Sequence, residues 1–138
     1  MVGERGLAGE IAALAGHVQA GGAAQAAGAA PIDRAYLARF TLGNAELERE
    51  ILELFAAQTP IYLEQLHSAA TRQAWKETAH AIKGSALAVG AGRLATLTRV
   101  AEQLGVEADE AARERALRAV AEAAEEVCRH IACLFATA

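Results

Sequence analysis

The chain has 138 residues, about the size of one domain, and is 54% hydrophobic but only 4% aromatic, so its core must be built from Ala, Leu, Ile and Val. A net charge of −4 gives no support to nucleic-acid binding, which draws on a basic face. No apolar run approaches the roughly 20 residues that a membrane span needs, and Glu10 and His17 interrupt the N-terminal stretch, so a soluble, cytoplasmic protein is expected.

Residues 1–30 are Ala/Gly-rich and read separately from the segment 31–138. Leu7, Ile11, Leu14 and Val18 keep helical spacing, while Gly9, Gly16, Gly21, Gly22 and Gly28 oppose it. A mobile extension and a short helix packed on the rest both fit. Pro31-Ile32-Asp33 then reads as a helix start, with Asp33 the N-cap of a short helix reaching Phe40. Asn44 caps a longer helix whose first turns hold Glu46, Glu48 and Glu50, the favourable end for carboxylates. Its expected buried stripe is Leu47, Ile51, Leu54, Phe55, then Ile61 or Tyr62, and Leu66, with a kink at Pro60.

Thr71 is the expected N-cap of the next helix, whose seam runs Trp75, Ala79, Ile82, Ala86 and Val89 in steps of 4, 3, 4 and 3. Gly90 and Gly92 should end it and permit a tight reversal. The following helix buries Leu94, Leu97, Ala101 and Leu104 before Gly105 stops it. The last helix shows Leu117, Val120, Ala124, Val127, Ile131 and Leu134. With two prolines and no strand pattern, the class is all-α: an antiparallel up-down four-helix bundle with a short extra N-terminal helix.

His80 lies roughly 140° from the middle of the Trp75–Val89 seam, on the solvent side of its helix. Lys76, Lys83, Gly84 and Leu87 share that face. A mid-helix Gly84 costs about 1 kcal/mol relative to Ala and leaves bare backbone where a bulky partner could close on the ring. Two flanking ammonium groups disfavour a protonated imidazole and would attract a phosphoryl group once attached. Leu87 adds an apolar contact to a wet face, as a docking surface does.

The string His80-Ala81-Ile82-Lys83-Gly84-Ser85, with Gly90 ten residues after the histidine, resembles the signature of histidine-containing phosphotransfer (HPt) domains. The resemblance runs from about Ile32 to Phe135. It implies a phosphorelay protein that accepts a phosphoryl group on His80 from a receiver domain's aspartyl phosphate and passes it to another receiver's aspartate. Lys83 matches the lysine that helps hold the phosphoryl oxygens, Gly84 the small residue that leaves room for the partner, and Ser85 the position behind it, where a hydroxyl can support the helix. Glu102, 22 residues after His80, stands where family members carry Gln or Glu, within reach of Nδ1–H. Docking would use Lys76, Gly84, Leu87 and Ala91; the role of Lys76 comes from the helical wheel alone. Two departures stand out: Ala101 replaces the bulky apolar residue usual before the Glu, and Ala86 stands where a second Ser is common.

The resemblance implies a monomer that is a carrier rather than an enzyme. It has no cofactor or metal of its own, and a magnesium ion is expected on the partner receiver, which belongs to a hybrid histidine kinase or a response regulator. Gly90-Ala91-Gly92 lacks the Lys-Ser/Thr of a nucleotide-binding loop. Cys128, His130 and Cys133 match no common zinc spacing. A helical adaptor that is never phosphorylated, or a degenerate member that only docks, remains compatible with the same residues.

Overall fold

The computed structural model describes residues 30–104 and 109–136. They form α1 (Arg34–Thr41), α2 (Ala45–His67), α3 (Arg72–Ala88), α4 (Gly92–Leu104) and α5 (Glu110–Ala136), with no strand among the described residues. The N-terminal extension, but for Ala30, and Gly105 lie outside the described residues.

Each helix start is set by local chemistry. The side-chain oxygens of Asp33, Asn44 and Thr71 accept from the backbone N–H of Tyr36, Leu47 and Ala74 at 3.1, 3.0 and 3.0 Å. All three occupy the expected cap positions, where they satisfy donors that the first turn leaves unpaired. Asp109 does the same for Ala112 at 2.7 Å and begins α5.

α2 packs on α3 and on α5, α3 packs on α4, and α4 packs on α5, so the four long helices close a ring around one core. α1 lies on α2. Phe55, Leu37, Leu52, Leu66, Ile82, Leu94, Val89 and Val120 are among the largest fully buried side chains. Each contributes about 2 kcal/mol by leaving water. The entire seam predicted for α3 is buried: Trp75, Ala79, Ile82, Ala86 and Val89.

The stripe of α2 differs from expectation. Leu47 and Ile61 are exposed and Leu54 is half-buried, while Leu52, Gln58 and Thr59 are buried. The helix turns its Ile51–Leu52–Phe55 face inward because it must meet α3 on one flank and α5 on the other. On the α5 flank the Arg49 guanidinium stacks 4.6 Å from the Phe135 ring. α2 continues through the exposed Pro60 to His67, so the proline does not stop the helix.

The α3–α4 reversal is tighter than two glycines alone would make it. α3 ends at Ala88, Gly92 is already the first residue of α4, and only Val89–Ala91 turn the chain. The Ala91 N–H donates to the Ala86 carbonyl at 2.8 Å, and its own carbonyl accepts from Ala95. Gly90 adopts φ +76°, a conformation that favours glycine. Against it sits the start of α1: the Asp33 N–H donates to the Gly90 carbonyl at 2.9 Å.

Candidate functional site

α3 and α4 share the most extensive contact in the bundle, and each buries small residues: Ala79 and Ala86 on α3, Ala95 and Ala101 on α4. Small side chains let two helices approach closely. Their flanking surface residues can then meet across the groove.

One cluster forms on that flank. Glu102 of α4 places Oε2 3.3 Å from His80 Nδ1 and Oε1 2.9 Å from Lys83 Nζ, both on α3. The His80 side chain is 69% exposed, whereas Lys83 is 24% and Glu102 only 14% exposed. The carboxylate therefore sits below the ring, with the lysine beside it. Burial pushes the Glu102 carboxyl up, but the Lys83 ammonium bonded to it and the His80 ring outweigh that effect, and the group is held below the usual carboxylate range. An ionised Glu102 accepts hydrogen bonds only, so its partner nitrogen on a neutral His80 must carry the proton. The lone pair is then on Nε2, which has no hydrogen-bond partner among the described residues. A ring in that tautomer can act as a nucleophile through Nε2.

The other residues singled out from the sequence divide between this cluster and the core. Lys76 is exposed, one turn before His80, and Gly84 is half-buried one turn after it. Ser85 is buried at 6% exposure and faces inward. Leu87 is half-buried and packs with Leu54 of α2 against Ala88. Ala91 corrects an expectation: it is fully buried in the α3–α4 turn, because its N–H is drawn back onto Ala86 and the chain folds over it. It offers nothing to a docking partner.

Two relationships join side chains of one helix to groups of another, which periodicity within a single helix does not reveal. Lys83 pairs with Glu102, so the three side chains act as one unit rather than as a lysine waiting apart from a histidine and its carboxylate. A signal was available, since Lys83 follows His80 by three residues and so borders the same groove. The second concerns Trp75, whose buried indole N–H donates to the Ala101 carbonyl at 2.8 Å. The large ring on α3 thereby meets a small, fully buried residue on α4.

No group of three or more His, Cys, Asp and Glu side chains among the described residues is arranged to hold a metal ion. Cys128 and Cys133 are free thiols, and burial pushes the Cys128 thiol up. No described helix is long and apolar enough to cross a membrane.

Comparison with curated proteins and with solved structures finds no match. Comparison with protein families matches the Hpt domain over residues 50–130, more than half of the chain, and this span contains His80, Lys83 and Glu102 together with the helices that carry them. The chain belongs to the Hpt domain family.

Proposed function

We propose that this protein is a phosphoryl carrier of a two-component phosphorelay and that His80 is its phosphate-accepting residue. Membership of the Hpt family implies a histidine phosphotransfer role, and the observation that carries the residue assignment is the exposed ring with Nδ1 against a half-buried carboxylate. In the transfer step the Nε2 lone pair attacks the phosphorus of a receiver's aspartyl phosphate. The P–N bond forms as the P–O bond breaks, and the aspartate leaves as a carboxylate with the electron pair. The Nδ1 proton stays on the ring, facing Glu102, and balances part of the charge on the phosphorylated ring. Onward transfer to a second receiver is the same step reversed.

Phosphoryl transfer asks the protein for position and charge rather than covalent machinery. This chain supplies the nucleophile, with Lys83 and Lys76 as positive charge; the receiver supplies the acidic pocket and its magnesium ion. Ser85, buried behind Gly84, supports the helix under the ring. Gly84 and the half-buried Leu87 border the face that a receiver covers. The antiparallel up-down course of α2–α5 follows from their short connections and puts His80 mid-helix on a rigid wall. The protein works as a monomer in the cytoplasm.

The test is to incubate the protein with a receiver domain charged by radiolabelled acetyl phosphate. Acid-labile, alkali-stable label is expected on the wild type and none on His80→Gln. A wild type that stays unlabelled, as a plain adaptor or a docking-only member would, sinks the reading; label persisting on His80→Gln sinks the residue assignment.

A further inference from the structure

We propose that Trp75 is a positioning residue for His80: its hydrogen bond to the Ala101 carbonyl holds the end of α4 in the register at which Glu102 reaches the ring. The inference rests on the phosphotransfer reading of His80.

Trp75 and His80 lie five residues apart on α3, and Ala101 and Glu102 are adjacent on α4. The two helices are thus pinned twice, from adjacent residues of α4, by a buried bond from Trp75 to Ala101 and by the surface bonds of Glu102 to His80 and Lys83. The surface pin has little slack. At 3.3 Å the His80–Glu102 contact is already at the long end of an N–H···O bond. A slide of α4 by a single residue is about 1.5 Å, enough to break it.

The buried pin is the rigid one. Trp75 is 2% exposed and Ala101 fully buried, so neither group can exchange its partner for water. Ala101 lies in the last turn of α4, where carbonyls run out of donors from their own helix. The indole N–H reaches one of them. The Arg113 guanidinium of α5 lies over the indole, 5.8 Å from the ring centre, so a third helix also contacts the ring. Ala95 and Ala101 are small and buried on α4, and the indole N–H gives this end of the α3–α4 contact a directional bond that apolar packing does not supply.

The experiment reads the His80 tautomer by long-range 1H–15N correlation in the unphosphorylated protein, with Trp75→Phe, Glu102→Gln and, as a control of reduced stability, Ile131→Val. The wild type should hold the Nδ1–H form. Trp75→Phe, which keeps an apolar ring and removes the donor, should shift the ring toward Nε2–H as Glu102→Gln does, and Ile131→Val should not. In transfer from a charged receiver, Trp75→Phe should lower the rate constant on the order of tenfold, with the half-saturating receiver concentration unchanged. An unaltered tautomer in folded Trp75→Phe overturns the proposal. Should that variant not fold, the resonance of the chain's one indole decides: it must move in Glu102→Gln, and a fixed resonance overturns the proposal equally. Failure of the wild type to take up phosphate would sink the reading of His80, while the tautomer data would still judge the role of Trp75.

Discussion

Gly90 and Asp33 are joined backbone to backbone. The Asp33 N–H donates to the Gly90 carbonyl at 2.9 Å, and a Cβ placed on Gly90 would stand 2.7 Å from the Asp33 carbonyl oxygen. The start of α1 is thereby docked on the α3–α4 turn, at the end of the helix that carries His80. The glycine is needed both for its φ of +76° and for the room it leaves.

Gly90→Ala should therefore destabilise the fold by at least about 2 kcal/mol, combining left-handed strain with displacement of Asp33. Gly43 is the control, with φ +82° and nothing within 4 Å of where a methyl group would stand. Gly43→Ala should cost only about 1 kcal/mol. Urea unfolding of both variants, compared with the wild type, measures the difference; equal costs would mean that the contact with Asp33 contributes nothing.

Glu102→Gln should leave the helix content unchanged and lower stability by about 1 kcal/mol at neutral pH, mainly through the bond to Lys83. The His80 contact adds less, because its ring is 69% exposed and screened by water. Chemical denaturation with circular dichroism checks this, and the tautomer of His80 should shift in the same sample.

The same carboxylate sets a pH dependence. Its value in the folded protein is held below the ordinary one, so the unfolded chain binds the proton more readily. The stabilisation is complete above the usual carboxylate range and is lost as pH falls through the depressed folded value. Unfolding free energies followed from about pH 7 to about pH 3 should therefore decline less steeply in Glu102→Gln than in the wild type. Parallel curves would contradict the assignment.

Thr71→Ala removes the N-cap of α3 and should cost about 1 kcal/mol. Thr41 offers the opposite sign. It is 3% exposed, and its Oγ1 has no hydrogen-bond partner among the described residues. Thr41→Val should be neutral or stabilising by up to about 1 kcal/mol. Thermal melts of the two variants should move in opposite directions, or only the first should move.

Lys76 is exposed and has no ion pair among the described residues. Lys76→Ala should leave the melting temperature unchanged and slow transfer from a charged receiver a few-fold, with a weaker dependence on salt than the wild type shows. Unchanged transfer and salt dependence would remove it from the docking face.

Local chemistry was the legible part. The caps at Asp33, Asn44 and Thr71 depend on a side chain and a backbone donor three residues away, so the sequence contains the whole interaction. The α3 seam was legible because every fourth or third residue is apolar and its opposite face is charged. α2 was less so: Leu47, Leu54 and Ile61 compete with Leu52 and Thr59 for the interior, and periodicity alone does not set the phase of a helix flanked on two sides. Resemblance to the family brought Glu102 to His80, which spacing could not have done across two helices.

The amino-acid sequence by itself determined an all-helical chain, the starts of three helices, and a histidine on the wet face of one of them. These follow from forces acting within a turn or two of helix. Only the tertiary structure decided that Ala91 is buried, that Lys83 and His80 share one carboxylate, that Gly90 carries Asp33, and that an indole meets the Ala101 carbonyl. Each of those joins residues from different elements or from opposite sides of a turn, and their distance is set by how closely the helices pack, a property of the assembled core rather than of any segment.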